Sequence, residues 1–232
     1  MKNAPLRGYQ RFVSEIQQLL TQARHQAARS VNAILTATYW EIGRRIVKFE
    51  QKGRQRAEYG EQLLERLSSD LSERFGRGFG VSHIKMMRQF YLAHPASRIR
   101  QSVIGESSFP LSWTHYARLI RVENENARTF YETETLRGGW SVRQLDRQIS
   151  SQFYERTALS KNKAAMLTTG AQSKPSDRVT PEEEIKDPYV LEFLGLKDEY
   201  SESQLEEALI RHLESFLLEL GGDFTFVARQ KS

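Results

Sequence analysis

Lys85, Arg88 and Gln89 fall within an arc of about 100° on one side of a short helical segment, opposite Ile84, Met87, Phe90 and Tyr91. Two cations and an amide on one helix face are the side chains that reach base edges and phosphates in a DNA groove. An ordinary solvated face is the alternative reading. Arg143 and Arg147, four residues apart with Gln144 and Ser151 on the same outer side of a later segment, make a second candidate surface. Arg54, Arg56 and Arg77 lie in loops, where they would clamp a phosphate backbone. The charge is distributed to suit such a task. Residues 1–100 carry 18 Lys/Arg against 8 Asp/Glu, residues 101–178 carry 11 against 8, and residues 179–232 carry 5 against 13. An arginine-rich front suits a polyanion, because each neutralised phosphate releases a counterion and arginine makes forked contacts.

Other chemistries are excluded by residue type. With no cysteine there is no disulfide scaffold, thiolate metal site or thiol catalysis, and a reducing, cytoplasmic setting is expected. The five histidines (25, 83, 94, 115 and 212) lack metal-ligand spacing and are expected to be structural. Gly76, Gly78 and Gly80 are not followed by the Lys-Ser/Thr of a phosphate-binding loop. No run approaches a membrane span.

The candidate residues need helices to hold them. From Tyr9 to about Gln51, apolar residues recur at steps of three, four and seven: Phe12, Ile16, Leu19, Ala23, Ala27, Val31, Leu35, Ile42, Ile46 and Phe49. The spacing predicts one helix of about 40 residues, or two with a kink, on the order of 60 Å long. A stripe of that length needs a partner surface, from other helices or from a second copy of the chain in a homo-oligomer. A helix over about Gly60–Arg74 turns Leu63, Leu64, Leu67 and Leu71 inward, and the Gly76–Gly80 turn relies on positive φ. The next helix runs from a Ser82 cap to about His94, with Val81 and Met86 as a hydrophobic staple. Helix, glycine turn and short helix outline a helix-turn-helix-like unit.

Three shorter helices follow, beginning near Ser112, Asn124 and Ser141, the last with Gln144 completing a capping box. Residues 157–180 read as a linker with little to bury. Beyond it come a short acidic helix at Pro181–Glu184, an apolar stretch over Pro188–Leu196, a strong helix from Ser201, and a strand over Phe224–Arg229. A lone strand cannot satisfy its backbone, so it is expected to pair with another chain or to belong to something longer.

Leu111-Ser112-Trp113-Thr114-His115-Tyr116, Arg128-Thr129-Phe130-Tyr131 and Gly139-Trp140-Ser141-Val142-Arg143-Gln144-Leu145-Asp146-Arg147-Gln148-Ile149 resemble the YhcG family of bacterial proteins. So do Tyr39-Trp40-Glu41-Ile42-Gly43, Gly78-Phe79-Gly80-Val81-Ser82 and Met87-Arg88-Gln89-Phe90-Tyr91 upstream, and Leu205–Gly221 with Phe226–Gln230 downstream. The resemblance implies a helical DNA-binding domain followed by a PD-(D/E)xK nuclease domain, a magnesium-dependent phosphodiesterase fold. In that fold an Asp and an acidic-x-Lys pair on adjacent strands hold the metal. Those strands are expected after Gln230 and do not occur in this sequence. Asp177 with Glu184-Ile185-Lys186 spells the motif's letters in or beside the linker and reads as chance. Glu206 or Glu207 matches an opening-helix position that sometimes adds a carboxylate, which alone cannot hold Mg²⁺.

The fold expected is therefore mainly α. A helical domain over 1–156 carries the helix-turn-helix-like unit. A linker follows over 157–180, then an incomplete α/β nuclease-core fragment, a helix plus one strand, over 181–232. The expected function is binding of double-stranded DNA. No catalytic or metal-ligating residue is assigned within the chain, magnesium is expected only for a complete nuclease domain, and the nuclease core is expected to be inactive as it stands. A helical oligomerisation module and an endonuclease completed by a longer product or a partner are the alternatives.

Overall fold

The computed structural model describes residues 8–52, 57–95, 109–179, 183 and 187–193. Among them all regular structure is helical: α1 (Tyr9–Lys52), α2 (Ala57–Phe75), α3 (Val81–Ala93), α4 (Trp113–Leu119), α5 (Glu125–Gly138), α6 (Val142–Ser150), α7 (Phe153–Leu159), α8 (Lys163–Ala171), a 3-10 turn at Pro175–Asp177, and α9 (Pro188–Phe193). The Ser201 helix and the Phe224–Arg229 strand lie outside the described residues.

α1 is one continuous helix of 44 residues, but its apolar stripe does not have one fate. Val31, Leu35, Tyr39, Ile46 and Val47 are buried, whereas Phe12, Ile16, Leu19 and Phe49 are exposed. The buried length lies against α3, its main neighbour, and Gly43 makes that closeness possible. A Cβ at Gly43 would stand 2.1 Å from the Met87 carbonyl oxygen, so only glycine lets the two backbones meet there. A mid-helix glycine costs about 1 kcal/mol against alanine, and here it is retained for packing.

Ser68 on α2 donates its hydroxyl to the Phe79 carbonyl, which ties the glycine turn to α2. Gly76 and Gly78 take positive φ, 81° and 97°, while Gly80 does not. α3 starts at Val81 with Gly80 as its N-cap and no side-chain cap, two residues before the Ser82 cap expected. The Gly80 carbonyl accepts from both His83 N and Ile84 N, so the first turn closes on backbone alone.

The core is aromatic. Phe90 of α3 packs within 5.5 Å, centroid to centroid, of Phe109, Trp113 and Tyr116, and Tyr39 meets Trp113 edge-on at 4.9 Å. Such tilted and edge-on pairs suit the ring quadrupoles and add to the area they bury. A smaller cluster of Ile46, Leu64 and Ile84 joins α1, α2 and α3.

Residues 157–180, expected as a linker, hold the end of α7, the whole of α8 and the 3-10 turn. What fixes them is polar as much as apolar. Gln144 and Gln148 of α6 both donate their side-chain amides to the Gly170 carbonyl, at 3.1 and 3.0 Å. A Cβ on Gly170 would run into the Phe153 ring at 2.2 Å. Gln144, placed on the outer face of α6 by the sequence, is thus buried. The serine half of its capping box holds, since Ser141 Oγ accepts from Gln144 N, and its own side chain goes to α8 instead. α9 then returns to the core: Val190 is buried, Tyr189 lies beside His83, and Phe193 beside Tyr39.

Candidate nucleic-acid interface

α3 presents the first candidate set. Its inner face (His83, Ile84, Met87 and Phe90) is buried, while Lys85 and Gln89 are exposed. Arg88, between them, is half-buried because its Nε donates to both carboxylate oxygens of Glu50 on α1, at 3.0 and 2.8 Å. This pair fixes the arginine's stem across the α1–α3 junction, a constraint no local sequence pattern reveals.

The second set lies on α6, where acidic residues that follow in the chain already hold it. Arg147 Nη2 reaches Asp177 Oδ2 at 2.6 Å, and that same oxygen accepts from Lys174 N at 2.7 Å. Burial alone would raise the Asp177 carboxyl; the Lys174 N–H and the Arg147 guanidinium outweigh it and hold it below the usual range. Arg143 donates to Glu183 Oε1 at 3.0 Å and to the Arg178 carbonyl at 3.2 Å. Thr114 on α4 donates to Asp187, which in turn accepts from Tyr189 N. Asp177, Arg178, Glu183 and Asp187 therefore form a strap of contacts with α4 and α6.

Beside the strap is an open cleft of about 880 Å³, lined among others by Arg29, Asn32, Ser112, His115, Arg143 and Arg178. Sequence reading missed Arg29 and Arg178. The first is one of several cations along α1, and the second sits in the segment taken as linker. Arg77 is exposed and lines a different, mostly apolar groove with Arg45, between α1, α2 and α9. Arg54 and Arg56 lie outside the described residues. The two sets thus occupy different parts of the surface, with α3 outside both hollows.

The histidines in view are structural. His83 Nδ1 bonds the Gly78 carbonyl, and its Nε2 finds no hydrogen-bond partner among rings of Tyr39, Trp113 and Tyr189. His115 donates from Nε2 to the Trp140 carbonyl and accepts the Ser112 hydroxyl at Nδ1, 2.7 Å away. Burial lowers both pKa values, which favours the neutral form of each ring. His94 reaches Glu132 at 3.3 Å. Among the described residues no three His, Asp or Glu side chains could hold a metal ion. Asp177 is committed to Arg147, and Glu184–Lys186 lies outside the described residues. The described side chains do not fit a magnesium site.

The residues that carry the family resemblance turn out to be packing devices. Tyr39 fills the aromatic core, Trp40 Nε1 donates to the His94 carbonyl at 2.7 Å, Glu41 accepts from Arg44 and Arg45, and Gly43 admits Met87. Further on, Gly139 ends α5 in the left-handed region (φ 58°), the Trp140 carbonyl anchors His115, and Ser141 caps α6.

Comparison with known families matches the helical domain, and the segment that follows it, in two parts. Residues 15–156 match the DUF1016 N-terminal domain, and residues 182–232 match the YhcG PDDEXK nuclease domain. The chain belongs to the YhcG family. It is 51% identical to the YhcG protein of Escherichia coli (strain K12) over 249 aligned positions, which cover 97% of this chain and 66% of that relative. No solved structure matches it. Among the described residues no helix is long and apolar enough to cross a membrane.

Proposed function

We propose that the helical domain holds double-stranded DNA for a PDDEXK-type nuclease domain that begins near residue 182. Phosphodiester hydrolysis belongs to that domain; the helical part supplies grip and orientation. One observation carries the reading. α3 buries His83, Ile84, Met87 and Phe90 and leaves Lys85 and Gln89 outward, with Arg88 steadied by Glu50, so a rigid helix offers cationic and amide groups to a groove. Arg77, with Arg54 and Arg56, serves as a backbone clamp. Arg143 and Arg147 are the secondary contacts, since a phosphate must first displace Glu183 or Asp177.

The test is fluorescence anisotropy with a labelled duplex of about 25 base pairs, which gives an α3 docked in one groove room on either side. Binding is expected to weaken by at least tenfold between 50 and 200 mM salt, and Lys85→Glu with Gln89→Ala to weaken it further by roughly tenfold. Equal affinity of that variant and the wild type would remove α3 from the interface; salt-independent binding would overturn the reading altogether.

A further inference from the structure

The first three turns of α1 carry an apolar surface that the other described residues do not cover. Tyr9, Phe12, Ile16 and Leu19 are 54%, 57%, 41% and 65% exposed. Farther along the same helix, Ala28, Val31 and Leu35 are at most 3% exposed. The change comes within one helix, so the exposed end is a projecting continuation of a buried rod. The long helix does not serve as a dimer seam along its full length, because its central part is consumed by its own core.

The spacing of the exposed residues suits another helix. Steps of three, four and three, continued by four to Ala23, repeat every 3.5 residues. A straight helix has 3.6, and a 3.5-residue seam stays in register only along another helix coiled around it. On the flank of this stripe Arg11 pairs with Glu15 at 3.0 Å.

We propose that this segment pairs with the same segment of a second copy of the chain, in antiparallel orientation. Two-fold self-pairing is the commonest assembly and needs one self-complementary surface. Sliding the two seams past each other about residue 14 places Tyr9 opposite Leu19 of the second copy and Phe12 opposite Ile16, and all four anchors are covered. A parallel pairing would bring together two bodies whose first 100 residues each carry 18 Lys/Arg against 8 Asp/Glu. The antiparallel one sets them at opposite ends, where salt screens their repulsion. Large side chains of this exposure contribute roughly 100 Å² apiece, so four anchors and their flanks from each copy reach about 1,000 Å² in total. That is the low end for a specific interface, and dissociation on dilution through the micromolar range follows. The pairing would present two duplex-holding bodies to one DNA molecule. It is independent of the DNA reading, since it concerns residues that no candidate contact uses.

Sedimentation velocity of the full chain over a concentration series tests it, with Phe12→Glu/Ile16→Glu as the comparison. Because both side chains are exposed, the double variant is expected to keep the wild-type helicity and melting temperature. The wild type should sediment as twice the 26.9 kDa chain at tens of micromolar, and the variant as one chain. Absence of native cysteine allows the orientation to be read directly. An oxidised mixture of Tyr9→Cys and Leu19→Cys chains should cross-link the two to each other, with little product in either alone. A monomeric wild type, or a variant that still dimerises, overturns the proposal. Efficient cross-linking of Tyr9→Cys to itself overturns the antiparallel register.

Discussion

Gly43 of α1 lies so close to Met87 of α3 that an added methyl group would overlap the Met87 carbonyl oxygen, with the Tyr91 Cβ a further obstacle at 3.1 Å. Both obstacles are backbone or stem atoms that cannot swing aside. Gly43→Ala should therefore destabilise the fold by about 3 kcal/mol, despite the better helix propensity of alanine. Urea unfolding checks this, and a neutral or stabilising result would mean that the two helices can separate freely.

Stability should fall as the solution is acidified through the histidine range. His83 and His115 have folded pKa values below the usual 6.5, so between 6.5 and those lower values the unfolded chain binds more protons. Stability is then complete above about pH 6.5 and is lost as pH drops toward the folded values. For His83 the cause is visible: a proton on Nε2 would point into aromatic rings with no acceptor. His115→Gln should flatten the slope of unfolding free energy between pH 7 and 5. An unchanged slope would show that His115 does not govern it.

The Arg147–Asp177 pair pins the 3-10 turn to α6. Asp177 is 4% exposed, whereas the Arg147 side chain keeps 31% of its surface in water. Removing the arginine strands a buried carboxylate, and Arg147→Ala should cost about 2 kcal/mol, reduced from the fully buried case by solvent around the guanidinium. A double-mutant cycle with Asp177→Asn should show a coupling of at least about 1 kcal/mol. Additive effects would mean that the two side chains act separately.

If α6 contributes to DNA binding, Glu183 competes with phosphate for Arg143. Neutralising it removes the competitor, so Glu183→Gln should raise duplex affinity by roughly three-fold at low salt, with the gain fading as salt screens the pair. Lower affinity in this variant would show that the strap shapes the binding surface instead of blocking it.

Periodicity made most of the helical architecture legible. The long first helix, the glycine turn with its positive φ values, the Ser141 cap and the inward set Ile84, Met87 and Phe90 all follow from local rules of spacing and conformational freedom. The family likeness was legible for the same reason, since Trp40, Gly43, Trp140 and Ser141 are fixed by packing and capping demands that leave little choice of residue. The environment of each candidate contact was not. A helical wheel shows which way Arg88, Arg143, Gln144 and Arg147 point, and not what comes to meet them. Glu50 lies 38 residues from Arg88, Glu183 lies 40 from Arg143, and Gly170 lies 26 from Gln144. Those partners arrive only when distant segments close on one another. Sequence by itself determined the helices and their apolar faces; the tertiary structure decided which carboxylates meet Arg88, Arg143 and Arg147, because charge pairing is a property of proximity in space and leaves no period in the chain.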